Sequence, residues 1–182
     1  MSVGSVLYRF RLNVSDVDRS VYEKLDLRLA QHPSESIAFL LCRMLAYALN
    51  VQDGLKFSLK GLGEPDDPCI SSEHSRGGKD LWIEVGNPSA RRLHKAAKAA
   101  KKVKVYTYKN PAPLLEEIRS LNVHHGDQIE IFSFPSSFLE QLEAVLKRDN
   151  DWGLIRDQES LMVSMGDDMI QGELNSHFLS GK

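Results

Sequence analysis

The sequence has 182 residues, of which 42% are hydrophobic and 26% charged, with a formal net charge of −2. That length suits a single domain, 1–182, able to build its own core without staples. Two cysteines, Cys42 and Cys69, make no disulfide framework, and no window reaches the ~18 apolar residues of a membrane span, so a cytoplasmic monomer away from membranes is expected.

The first element is Val6 to Val14, where Tyr8, Phe10, Leu12 and Val14 alternate with Arg9, Arg11 and Asn13. This is the period of a half-buried strand. After a turn-rich SDVDR, Lys24 to Ala30 alternates again through Leu25, Leu27 and Leu29, and the two runs predict an antiparallel hairpin. HPSESIAFLLCRMLAYAL predicts a helix with Pro33 at its start and Ser34 or Glu35 in its first turn. Its apolar residues lie nearly all round, the mark of a buried helix. Leu55 to Leu59 reads as a strand, and the Gly-, Pro- and Ser-rich stretch Lys60 to Lys79 as a long loop.

Asp80 to Gly86 alternates as a strand, and Ser89 to Lys102 is a basic helix with Pro88 at its start. Val103 to Tyr108 is a strand that the helical crossover places parallel to the strand at Asp80. A short helix over Pro113 to Leu121, a strand over Gln128 to Phe134 and an amphipathic helix over Pro135 to Lys147 follow. The chain then runs through short strands near Trp152–Ile155, Leu161–Met165 and Met169–Leu174, the last two joined by a Gly166-Asp167-Asp168 turn. Hairpins mixed with helical crossovers predict an α/β (α+β) fold with a mixed sheet and flanking helices.

Charge is unevenly spread. Val85 to Leu115 holds eight cations and no acid, so the remaining residues sum to −10, the difference between −2 and +8. A patch of one sign suits an anionic partner such as DNA or RNA, and equally a solvated helix face. The strand before it puts Asp80, Trp82, Glu84 and Gly86 on one face. Two carboxylates on a core strand need partners or a metal. With Glu35 as a third acid, Mg²⁺ or Mn²⁺ would be the fitting ions, able to activate water against a phosphodiester, with Lys95 as the nearby lysine. Asp80 and Glu84 lie about 13 Å apart on a straight strand, so sharing one ion requires a bulge or bend.

The runs LAQHPSES (Leu29 to Ser36) and KDLWIEVGNPSARRLHKA (Lys79 to Ala96), with the opening VLYRFRLNVSDVDR, resemble the YaeQ family of bacterial proteins over essentially the whole chain. The resemblance implies a compact variant of the PD-(D/E)XK, restriction-endonuclease-like fold, with an N-terminal hairpin and a C-terminal β tail. It implies a metal-dependent nuclease or a related nucleic-acid-processing protein. Glu35, Asp80 and Glu84 would be its metal ligands and catalytic acids. The motif's lysine two residues beyond Glu84 is replaced by Gly86, so Lys95, or alternatively Lys60, would take that role. Arg91, Arg92, Lys98 and Lys60 would contact nucleic acid. The alternative is a non-catalytic nucleic-acid-binding or protein-interaction module on the same fold. In that case Glu35 is a helix-start charge, and Asp80 and Glu84 are ion-pair partners of Arg91, Arg92 or Lys95. Trp82 reads as core, His32 as a capping or packing residue, and His124-His125-Gly126-Asp127 as a turn.

Overall fold

The structure is a computed structural model that describes residues 4–58 and 66–179. Lys60 and Leu59 lie outside the described residues. The chain divides into two compact units, each made of two sequence segments: residues 1–49 with 134–175, and residues 50–133 with 176–182.

The first unit is built on a five-stranded sheet. β1 (Val6–Asp16) and β2 (Val21–Gln31) pair antiparallel as the alternating pattern requires, with Phe10 opposite Leu27 and Leu12 opposite Leu25. The C-terminal strands β8 (Asp149–Asp157), β9 (Ser160–Met165) and β10 (Asp168–Glu173) complete it in the order β10-β9-β8-β1-β2, with β8 parallel to β1. The inward residues Phe10, Leu12, Val14, Trp152, Leu154, Leu161 and Val163 are all buried. α1 (Ile37–Ala48) packs on β2 and α4, and α4 (Ser136–Val145) packs on β10. At Gly172 a Cβ would run into the Phe138 ring, so the backbone there has to be bare for α4 to seat.

α1 starts later than the sequence predicts. Its N-cap is Ser36, whose Oγ accepts the Phe39 N–H at 3.1 Å, and no acid lies in its first turn. Pro33, Ser34 and Glu35 form a turn ahead of the helix, in which Glu35 N–H donates to the His32 carbonyl at 2.8 Å. Serine at the cap position can fill an orphan N–H of the first turn, which Glu35 in extended or turn geometry one residue earlier cannot do.

The second unit holds a six-stranded sheet in the order β11-β7-β6-β5-β4-β3. Its parallel centre is β5 (Lys79–Val85), β6 (Ala100–Thr107) and β7 (Glu130–Ser133). β4 (Ile70–Glu73) and β3 (Lys56–Phe57) add antiparallel on one side, and β11 (Asn175–His177) closes the other. β4 lies inside the stretch expected to be loop: Ile70, Ser71 and Ser72 form a ladder against Ile83, Trp82 and Leu81. Its four residues are too short and too serine-rich to show alternation. β3 is the two residues Lys56–Phe57, paired with Ser71 and Ile70.

β5 is interior, as predicted, and Leu81, Ile83 and Val85 are buried. The face that α2 (Ala90–Ala99) covers, however, is the Trp82 face: Trp82, Ala90, Leu93, Ala96, Val103 and Val105 share one core with α3 (Ala112–Ser120) residues Leu114 and Ile118. α2 ends at Ala99 rather than Lys102, and Ala100 is already extended, with φ −131° and ψ 151°. Val103 and Val105 reach the helix core only if Ala100 to Lys102 belong to the strand.

Candidate functional site

The chemistry-bearing residues of β5 sit where the parallel strand passes into α2. β5 ends at Val85, and Gly86 turns the chain at φ +84° while donating its N–H to the Tyr106 carbonyl at 2.8 Å. A lysine at this position would be strained. Ser89 then caps α2, its Oγ accepting the Arg92 N–H at 3.3 Å.

That cap fixes Arg92 one turn into the helix, and its side chain returns to the strand. Arg92 Nε lies 2.8 Å from Glu84 Oε1. The Trp82 indole N–H, two residues back on the same strand face, donates to the same oxygen at 2.6 Å. The Cys69 thiol faces Oε2 at 3.8 Å, and Arg92 also donates to the Asp67 carbonyl. Glu84 is 2% exposed. Burial pushes its carboxyl above the ordinary range, opposed by Arg92 first and then by Trp82 and Cys69. The result is a buried, charge-assisted cluster in which both carboxylate oxygens are engaged.

Asp80 has a different environment. The ladder with β4 shifts register between Ser72 and Glu73, so Ser72 faces Leu81 and Glu73 faces Lys79, and Asp80 is the extra residue. The bulge that ligand sharing would demand is therefore present. Asp80 is nonetheless held 2.8 Å from Lys101 Nζ, in a largely solvated pair, and the hydrogen bond to Lys101 keeps its carboxyl below the usual range. Lys95 pairs with Asp66, whose carboxyl it lowers.

Glu35 belongs to the first unit. Its Oε2 accepts the His32 backbone N–H at 3.0 Å and an Arg43 guanidinium N–H at 3.1 Å. Arg43 also donates to the Ala30 carbonyl at 3.0 Å. Glu35 is 6% exposed, and burial raises its pKa against the pull of Arg43 and His32. Among the described residues no group of three or more His, Cys, Asp or Glu side chains is arranged to hold a metal ion. Glu84's oxygens are taken by Arg92, Trp82 and Cys69, and Asp80 is turned to Lys101. As arranged, the pair on β5 does not fit a shared Mg²⁺ or Mn²⁺.

The cations of residues 85–115 do not form one surface. Arg91, Lys95 and Lys98 are exposed and follow i, i+4 and i+7 spacing, one stripe along α2. Lys102 and Lys104 alternate with the core residues Val103 and Val105, so they leave the opposite face of the sheet, where both pair with Glu130 at 3.1 and 3.4 Å. Lys104 also donates to Asn50 Oδ1 at 2.9 Å. Strand alternation splits a run that is continuous in sequence.

A profile of the YaeQ protein family matches residues 1–174. The chain belongs to the YaeQ family. It is 36% identical over 112 residues to the YaeQ protein of Escherichia coli K12, and equally to that of Shigella flexneri; this alignment spans 62% of the chain and 61% of each relative, or about three fifths of their length. Two solved YaeQ structures share the fold. The protein from Xanthomonas axonopodis pv. citri superposes with a TM-score of 0.86 at 26% identity, covering 97% of this chain and 99% of its own. That from Pseudomonas syringae gives 0.85 at 27% identity, covering 98% and 97%. The mixed α/β architecture with flanking helices is thus that of the YaeQ fold.

Two features of this YaeQ chain escaped the sequence reading. Trp82 serves as a carboxylate donor as well as core, a role that its i, i+2 spacing to Glu84 on one strand face could have shown. Cys69 reaches Glu84 from the segment read as loop, and nothing local in the sequence signals that contact.

Proposed function

We propose that this YaeQ-family protein binds nucleic acid, that its core is a compact restriction-endonuclease-like fold, and that α2 presents the phosphate-contacting face. The observation that carries the reading is the exposed Arg91–Lys95–Lys98 stripe. Arg91 and Lys98 make no ion pair among the described residues, and Lys95 has only the well-solvated Asp66. Such exposed cations release phosphate counterions on binding, a term that needs no base contacts. Arg92 holds Glu84 and acts by shaping the helix start rather than by touching the ligand. Lys60 belongs to the proposal through sequence alone.

The test is fluorescence anisotropy with single- and double-stranded DNA and RNA at low salt. The wild-type chain should bind at least one of them, and Arg91→Glu with Lys98→Glu should weaken binding by about tenfold or more. Equal binding by wild type and variant would remove the stripe from the account.

Metal-dependent cleavage through Glu35, Asp80, Glu84 and Lys95 is the second reading. The observation on its side is the burial of Glu84. An ion pair taken out of water is weak evidence for stability, and buried acids cluster at functional sites. Under this reading Arg92 must release Glu84. Cleavage of a labelled oligonucleotide in Mg²⁺ or Mn²⁺ that disappears in Glu84→Gln, with the fold retained, would establish it. No cleavage with either ion leaves the binding reading alone.

A further inference from the structure

At the far end of α2 from Glu84, the second unit has a cavity of about 360 Å³ that neither reading uses. Its polar lining is Lys101, His124, His125 and Gln128, and its apolar walls include Val103 and Ile129. Among the described residues no carboxylate lines it. We propose that this cavity is a seat for a tetrahedral oxyanion, the phosphate of a phosphomonoester, gripped by the imidazoles of His124 and His125, the Lys101 ammonium and the Gln128 amide. The inference does not rest on nucleic-acid binding by the stripe.

The seat is built by a tie between α2 and the turn before β7. The His124 backbone N–H donates to His94 Nδ1 at 3.0 Å, which places the His94 and His124 rings 6.0 Å apart. With Nδ1 accepting, a neutral His94 carries its proton on Nε2. His125 adopts a left-handed backbone at φ +47°, and this folds its ring back to 4.0 Å from that of His124. Three imidazoles and Lys98 therefore gather at one place. An anion seated there would face the Lys101 and Lys98 charges and accept from imidazole N–H groups.

Asp80 pairs with Lys101 at 2.8 Å, so a bound anion shares that ammonium with it, whereas Glu130 is held by Lys102 and Lys104 and the exposed Asp127 is outside the lining. Burial, followed by His125, Lys98 and His94, keeps the His124 imidazole below its ordinary pKa. An anion in the cavity reverses the effect of those neighbours and favours the protonated ring. Binding then takes up protons, so affinity rises as pH falls. The cavity lies within the volume range of small-molecule sites, and its apolar walls suit an organic body attached to the phosphate.

The experiment is imidazole ¹H–¹⁵N NMR with calorimetry on the full chain, using sulfate, whose charge is constant over the range, and inorganic phosphate. Sulfate should bind saturably, about tenfold or more tightly at about pH 5.5 than at about pH 7.5, with the His124 and His125 resonances moving together. His125→Gln should weaken binding about tenfold with an unchanged circular dichroism spectrum, and Lys101→Gln, whose target is exposed, should do likewise. A 5′-phosphorylated oligonucleotide is then compared with its 5′-hydroxyl form. A gain from the phosphate that His125→Gln abolishes identifies a strand end as the source. Equal binding of the two oligonucleotides, with phosphate still bound, identifies a free phosphomonoester. No saturable sulfate or phosphate binding, pH-independent affinity, or full binding by both variants would overturn the proposal.

Discussion

Glu84 and Glu35 are both buried acids that face an arginine, yet they are anchored in different ways. Among the described residues Glu84 is engaged only by side chains, those of Arg92, Trp82 and Cys69, on a strand whose ladder is made by backbone hydrogen bonds. Glu35 accepts a backbone N–H from His32 and shares Arg43 with the Ala30 carbonyl, so it ties the end of β2 to the turn entering α1. A side-chain-only cluster can be rearranged while the fold stays intact. A carboxylate holding a turn together cannot. The difference teaches that two acids with the same burial and the same partner type need not share one role, and that Glu35 has a structural duty whatever Glu84 does.

The comparison breaks most sharply at Arg92. Arg92→Met strips the cation from a carboxylate that is almost fully buried, and at neutral pH it should cost about 3–5 kcal/mol, read as a drop in the denaturation midpoint. The double variant Glu84→Gln/Arg92→Met should recover much of that loss, because the unpaired buried charge is gone. A double variant as unstable as Arg92→Met alone would show that Glu84 is well solvated.

The next largest effect is expected at Glu35. Glu35→Gln keeps an oxygen for the His32 N–H but removes the negative charge facing the buried Arg43, and should cost about 1–3 kcal/mol. Urea melts should place this loss above that of Glu84→Gln, whose arginine partner is the more exposed of the two and whose amide oxygen still accepts from Trp82. The reverse order would erase the distinction between the two centres.

A smaller effect follows from pH. Burial raises the folded pKa of Glu84 above its unfolded value, so the folded state holds this proton more tightly. The penalty is absent below the unfolded value, near 4.5, and fully developed once pH has risen through the folded pKa. Lowering pH from 7 toward about 4.5 should therefore stabilise wild type relative to Glu84→Gln, in a set of melts that cancels the other titrating groups. His124 and His177, whose pKa values are lowered, move total stability the opposite way, which is why the difference is the quantity to follow. A flat difference would mean that the Arg92 pair fully offsets burial.

Much of this architecture was legible. The N-terminal hairpin, the interior strand at Asp80 and the parallel crossover to Val103 all follow from period-2 alternation and one connecting helix. β4 was not, because Ile70 to Glu73 is strand only through its partner β5. The end of α2 was misplaced because lysine and alanine in AAKK favour helix, whereas the burial of Val103 and Val105 decides for strand. At the site, the sequence marks which residues carry charge but not their partners. Arg92, Lys95 and Lys101 are neighbours in the chain, yet each holds a different acid, because helix cap and strand bulge aim them apart.

The salt dependence of nucleic-acid affinity tests most directly the claim that the α2 stripe binds and Glu84 shapes. Wild type, Arg91→Gln/Lys98→Gln and Glu84→Gln would be titrated with one oligonucleotide across a series of salt concentrations. The stripe variant, at exposed sites where stability should change by no more than about 0.5 kcal/mol, should have a log–log slope shallower by about 1.8 on duplex DNA, and Glu84→Gln should keep the wild-type slope. An unchanged slope in the stripe variant, or a loss of binding in a folded Glu84→Gln, would contradict the account.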